Sequence, residues 1–203
     1  MVIRTVIFDL GKVIVDFSFD EAYGRMQALS GLARDEIRSR LFQGALITDF
    51  ETGRAGPADF LAEVNRRMGT AIEPGDFAEL WSSIFHRTPL IPEGLLQKLR
   101  GDRRLVLLSN TNPLHFAMIR ENYPHIGHFD ALVLSHEVGV MKPDEAIYRA
   151  AIEQARCAPE ECLFFDDIAE NVEGARAAGI NAEQFIGLEK LHRDLAAHGV
   201  RIR

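Results

Sequence analysis

Apolar residues in this 203-residue chain follow two different periods. Four short runs are apolar almost without interruption: Thr5-Val6-Ile7-Phe8, Leu105-Val106-Leu107-Leu108, Leu132-Val133-Leu134 and Cys162-Leu163-Phe164-Phe165. A strand that is apolar on both faces belongs inside a parallel sheet covered on two sides. Around and between the later runs the spacing turns helical. A helix over residues 93–100 precedes the second run. Asn112-Pro113 reads as an N-cap followed by proline at the first helical position. Pro143 opens another helix, with Asp144 and Glu145 in its first turn, and a further helix runs to residues 178–179. A short strand over residues 182–186 precedes a terminal helix. Strands separated by helices imply right-handed crossovers and an α/β, doubly wound sheet.

Residues 17–89 have a different character. Phe19, Ala22, Tyr23, Met26 and Leu29 stand at helical spacing. So do Phe60, Val64 and Met68, and then Phe77, Leu80, Trp81, Ile84 and Phe85. Breaks fall near Gly31, over residues 53–57 and at Pro74-Gly75. No convincing strand stands in this stretch. The expected organisation is a core of residues 1–16 and 90–203 with a small helical cap, residues 17–89, inserted after the first strand. Residues 9–16, which contain Gly11, read as a turn.

Composition narrows the partners. The chain is 47% apolar and 26% charged, as globular proteins are. Its net charge of -7 argues against nucleic acid as a partner. No apolar run approaches the roughly 20 residues that span a bilayer, so no membrane partner is expected. The first residues are interrupted by Arg4 and closed by Asp9, unlike a signal peptide. Cys157 and Cys162 read as reduced thiols, with Cys162 packed in its strand. A cytoplasmic protein is therefore expected. The seven histidines show no ligand pair and read as surface or packing residues.

Polar residues stand where the apolar runs end, and strand ends of an open parallel sheet converge on one crevice. Asp9 follows the first run, Ser109-Asn110 the second, and Asp166-Asp167 the fourth; Lys142 lies a short loop beyond the third. A carboxylate so placed can attack phosphorus and form an aspartyl-phosphate that water hydrolyses. Mg2+ prefers oxygen ligands, and Asp9, Asp166 and Asp167 supply them. Ser109, Asn110 and backbone N–H groups at a helix start can hold phosphate oxygens. Lys142 can neutralise a phosphate and the crowded carboxylates. Taken singly, each of these is a cap, a turn residue or a solvated charge; in order and all after strands, they read as a phosphoryl-transfer site.

Phe8-Asp9-Leu10-Gly11, Leu108-Ser109-Asn110, Met141-Lys142-Pro143 and Phe164-Phe165-Asp166-Asp167 resemble the four ordered motifs of the haloacid dehalogenase (HAD) superfamily. The resemblance covers the whole chain, cap included, and implies a Rossmann-like core. The stretches 8–16 and 108–112 further resemble bacterial HAD phosphatases that include α-D-glucose-1-phosphate phosphatase. The resemblance implies that Asp9 is the nucleophile. Mg2+ would be bound by Asp9, Asp167 and the backbone oxygen of Gly11, with Asp166 helping through water or orienting Lys142. Ser109, Asn110 and Lys142 would bind the transferring phosphoryl group of a small phosphorylated metabolite. Asn171, one turn past Asp167, would either support the metal's water shell or stand on a helix surface.

Gly11 departs from the family pattern. Most HAD phosphatases carry an Asp two positions after the nucleophile, as a general acid and base worth typically 100- to 10,000-fold in rate. The carbonyl of Gly11 can bind a metal but cannot relay a proton. Three readings follow: a phosphatase whose substrate has a good leaving group, such as a sugar 1-phosphate; a metal-independent 2-haloacid dehalogenase; or a non-catalytic phosphate- or partner-binding protein of this fold. Asp16, Asp20, Asp49 and Glu51 are substitute proton donors among which the sequence makes no choice. The cap is expected to set substrate choice, with lining around residues 17–18 and 42–50. Trp81 and Phe85 are expected to pack the cap's own core, and Arg54 and Arg87 to be solvated or to meet a substrate anion.

Overall fold

The computed structural model describes residues 2–202. Five parallel strands form the central sheet: β1 (Thr5–Phe8), β4 (Arg104–Ser109), β5 (Ala131–Leu134), β6 (Cys162–Asp166) and β7 (Asn181–Gln184), in the order β5-β4-β1-β6-β7. β1 is central and buried along its whole length. The pleat sorts its neighbours by parity. Val6, Phe8, Leu105, Leu107, Leu163 and Phe165 enter one apolar cluster, while Ile7, Val106, Leu108, Cys162 and Phe164 enter another on the opposite face. Burial on both faces is why these strands have no alternating pattern in the sequence.

Helices α6 (Glu93–Asp102), α7 (Pro113–Asn122), α8 (Ser135–Val138), α9 (Glu145–Ala155), α10 (Ala169–Ala177) and α11 (Leu188–Ala197) accompany the sheet. Asn112 caps α7, its side chain accepting from His115 N at 3.0 Å, and Pro113 follows at the first turn. Asp144 is the N-cap of α9 rather than a residue of its first turn, accepting from Ala146 N at 2.8 Å. Among the described residues, no helix is long and apolar enough to cross a membrane.

Five helices lie between β1 and α6: α1 (Asp20–Ser30), α2 (Arg34–Phe42), α3 (Leu46–Glu51), α4 (Pro57–Met68) and α5 (Pro74–Ser82). Phe50, Phe60, Val64 and Phe77 build a third apolar cluster there, with Phe50 and Phe60 stacked at 4.0 Å. The expectation that this stretch holds no strand is wrong. β2 (Val15–Phe17) and β3 (Phe85–Pro89) pair antiparallel, Val15 opposite Pro89 and Phe17 opposite Phe85. The helices thus leave and rejoin the core through a two-stranded ribbon, and the expected boundary after residue 16 falls inside β2. Ile84 and Phe85, read as part of a helical face, lie beyond the end of α5.

Candidate active site

β1, β4 and β6 run side by side, with Phe8 opposite both Leu107 and Phe165. Their chains therefore leave the sheet at one edge, at Asp9, Ser109-Asn110 and Asp166-Asp167. Asp9, Asp166 and Asp167 each present a carboxylate oxygen, all within 4.8 Å of one another. Lys142 enters between them: its Nζ stands 2.7 Å from Asp9 Oδ1 and 2.6 Å from Asp166 Oδ2, and donates to Leu108 O at 3.1 Å. Removing charge from water is costly, so such a cluster persists only when paired and hydrogen-bonded. Burial pushes Asp9 up to about 7, with the Lys142 ammonium pulling against it and Asp166 adding to the rise. Burial works against the Lys142 charge, but the two carboxylates outweigh it and hold the ammonium above the ordinary lysine range. Asp167, half-buried, is also raised, by burial and then by Asp166.

A second layer of contacts fixes these side chains. The Asn110 amide closes a two-point clamp on the main chain of Lys142, donating to its carbonyl at 3.0 Å and accepting from its N–H at 2.8 Å. Asp166 accepts from Ile168 N at 2.8 Å and from Asn171 Nδ2 at 3.1 Å on both oxygens. Asn171 is thus buried against Asp166, not on a helix surface. Tyr148 completes the chain, donating from its hydroxyl to Asn171 O at 2.7 Å. Ser109 is buried at the end of β4, its hydroxyl 3.4 Å from Asn110 O. Lys142, Asn110 and Asp166 are therefore held before any ligand arrives, which is the preorganisation that electrostatic catalysis requires. The donor set is all oxygen and suits a hard cation such as Mg2+.

At Gly11 a Cβ would lie 2.9 Å from Phe17 Cε1, so the Phe17 ring occupies the space of the missing side chain. Asp16 is no free acid: it pairs with Lys12 at 2.5 Å and His86 at 3.1 Å, and the Lys12 hydrogen bond holds it below the ordinary aspartate range. Asp20 pairs with Arg34, and Asp49 with Arg54. Glu51 is different. It lines a cavity among the α1–α5 helices, and burial alone pushes its carboxyl up to about 7.

A family model for haloacid dehalogenase-like hydrolases matches residues 3–179. The chain belongs to this family. It is 28% identical over 189 residues to a D-ribitol-5-phosphate phosphatase of Bacteroides thetaiotaomicron, covering 90% of this chain and 91% of the relative. It is 26% identical over 188 residues to a phosphorylated carbohydrates phosphatase of Thermotoga maritima, covering 87% and 82%. A crystal structure of a HAD family enzyme from B. thetaiotaomicron, in complex with magnesium and inorganic phosphate, superposes with a TM-score of 0.82 at 26% identity, covering 90% of this chain and 93% of that one. The doubly wound α/β class expected from the sequence is thus the fold observed.

The sequence points to the residues at the strand ends and to Asn171, but not to Tyr148 or to the contacts of His115. Tyr148 gave no signal beyond a buried helical position. His115, read as surface or packing, is buried with both ring nitrogens engaged, Nδ1 at 3.0 Å from Asn112 Nδ2 and Nε2 at 2.9 Å from Trp81 O. Trp81, expected within the cap's own core, therefore also meets the core helix α7.

Proposed function

We propose that this protein is a Mg2+-dependent phosphatase of small phosphomonoesters, acting through an aspartyl-phosphate on Asp9, with residues 17–89 as its cap. The observation that carries this reading is Asp9 itself, a buried carboxylate beside a lysine ammonium and two further carboxylates. Asp9, Asp167 and the Gly11 carbonyl would hold Mg2+, which neutralises phosphate charge when bound. Asp166 orients Lys142, and Ser109 and Lys142 meet the phosphoryl oxygens. Asn110 serves by holding the main chain of Lys142.

One Asp9 oxygen attacks phosphorus, and the bond from phosphorus to the alcohol oxygen breaks. The departing oxygen takes its proton from water, since Gly11 offers none. Water then attacks phosphorus, the bond to Asp9 breaks, and inorganic phosphate leaves with the carboxylate restored. Without a positioned acid the enzyme favours alcohols that depart readily, sugar 1-phosphates among them. The relatives that act on ribitol 5-phosphate and phosphorylated carbohydrates support small phosphate esters as the class. A metal-independent dehalogenase would have no use for the three-carboxylate cluster.

The second step run backwards gives an assay that needs no leaving group. Wild type with Mg2+ should wash heavy oxygen out of labelled inorganic phosphate and release phosphate from esters. Both activities should vanish in Asp9→Asn and on chelation. Equal phosphate release by wild type and Asp9→Asn would overturn the mechanism.

A further inference from the structure

The cavity lined by Glu51 measures 190 Å³. Its walls are Met26, Ile37, Leu41, Leu80 and Trp81, with His115 contributed by α7 of the core. Phe19 and Phe42 also line it, and both are exposed, 41% and 57%. Large apolar side chains kept in contact with water at the rim of a cavity mark a binding surface rather than a finished core. An apolar cavity of about 150 Å³ accepts benzene, so this one has room for about one substituted ring.

Two features tie the cavity to the strand ends. Phe17, whose ring abuts Gly11, packs edge-on against Phe19 with centroids 5.6 Å apart, and Phe19 lines the cavity. On the other side, Asn112 stands two residues past Asn110 and binds the ring of His115, which also lines the cavity. Two lining residues, Phe19 and His115, are thus in contact with Phe17 and Asn112, which lie next to the first and second motifs.

Its polar content is small: the side chains of Tyr23, Glu51, Trp81 and His115. His115 has both nitrogens engaged. Glu51 is the only acidic side chain in the wall, and burial with no compensating partner is the sole influence on its carboxyl. Trp81 Nε1–H is buried with no hydrogen-bond partner among the described residues. Glu51 is half-buried and makes no hydrogen bond or ion pair among the described residues, so its carboxyl is free to meet a ligand hydroxyl in the cavity.

We propose that this cavity is the leaving-group pocket of the phosphatase and takes an apolar alcohol of about one ring in bulk, bearing a single further hydroxyl that meets Glu51. The assignment rests on the phosphatase reading above and narrows it. A polyol placed here would lose hydration at several hydroxyls and find few polar partners in this mostly apolar wall, at about tenfold in affinity for each left bare.

The test compares esters of primary alcohols, so that the bond broken is alike: benzyl phosphate, 4-(hydroxymethyl)benzyl phosphate and ribitol 5-phosphate. The expected order in kcat/KM puts the hydroxymethyl ester at least about tenfold above ribitol 5-phosphate. Glu51→Leu should cost the hydroxymethyl ester about tenfold and leave benzyl phosphate within about threefold. Oxygen exchange into inorganic phosphate, which needs no leaving group, should persist in Glu51→Leu and report an intact core. Exchange in wild type with no preference for the benzyl esters overturns the pocket assignment alone, as does an equal loss on both benzyl esters in Glu51→Leu. Absence of exchange in wild type overturns the phosphatase reading and the pocket with it.

Discussion

Gly11 is where one residue constrains the chemistry most, and the constraint comes from a neighbour. Phe17 lies where a Cβ would go, and it is itself held by Phe19 and by Phe85 at 6.0 Å. An aspartate cannot be added without moving an aromatic ring from a packed trio. Gly11→Asp alone should therefore destabilise the protein by about 1–3 kcal/mol, the usual cost of overpacking. It should give no gain on esters of basic alcohols. Phe17→Ala clears the space, so Gly11→Asp should cost less stability in that background, a coupling measurable by a double-mutant cycle in denaturant. In the double variant the new acid should help basic alcohols more than sugar 1-phosphates. Equal cost in both backgrounds would show that Phe17 is not the obstacle. The sequence made the absence of an acid at Gly11 readable, but not the ring that fills its place, because that contact crosses from a turn to a strand.

At the scale of elements, α9 and α10 meet at Gly174. A Cβ there would lie 2.9 Å from Tyr148 Cε2 and Oη and 3.1 Å from Pro143 Cβ. Tyr148 holds Asn171, Asn171 holds Asp166, and Asp166 holds Lys142. Helix packing is thus wired to the charge cluster through three hydrogen bonds. Gly24 in α1 is the matched control, exposed and with nothing within 4 Å. Gly24→Ala should stabilise by about 0.5–1 kcal/mol through helix propensity and leave kcat alone. Gly174→Ala should lower Tm despite the same propensity gain, and lower kcat as Asp166 shifts. Matching effects of the two substitutions would mean that the α9–α10 contact does not reach the site. What the sequence could reveal divides along the same line. β1, β4, β5 and β6 were legible because continuous apolar runs have one cheap explanation, and Asn112 because capping is local. β3 was not, because His86, Arg87 and Thr88 are exposed and carry no alternation. Asn171 stood out only by its place after Asp167, with its contact left open, and Tyr148 did not stand out, because periodicity says that a position is buried and not what it bonds.

For the whole molecule, the junction of insert and core carries two titrating groups of opposite sense. His115 of α7 donates toward Trp81 O of α5, and burial pushes its imidazole down to about 4. Glu51 of α3, on the same cavity, is pushed up to about 7. In the unfolded chain a histidine titrates near 6.5 and a glutamate near 4.3. Between about pH 6.5 and 4 the unfolded chain takes up a proton at His115 that the folded protein refuses, so this histidine makes the protein less stable as pH falls. Between about pH 4.5 and 7 the folded protein holds a proton at Glu51 that the unfolded chain has lost, so this glutamate makes the protein more stable as pH falls. Each contributes a slope of at most about 1.4 kcal/mol per pH unit, and in wild type the two oppose. Glu51→Gln removes one and should leave a stability that declines more steeply with acid than wild type over pH 6.5 to 4.5. His115→Gln removes the other and should leave one that declines less, or rises, over the same interval. Asp9 also titrates high, but it is present in all three proteins and cancels in the differences. Urea denaturation at half-unit pH steps measures the three curves. Curves for the two variants that run parallel to wild type would show that neither group is kept from its ordinary charge state, and that the junction is wetter than its apolar lining implies.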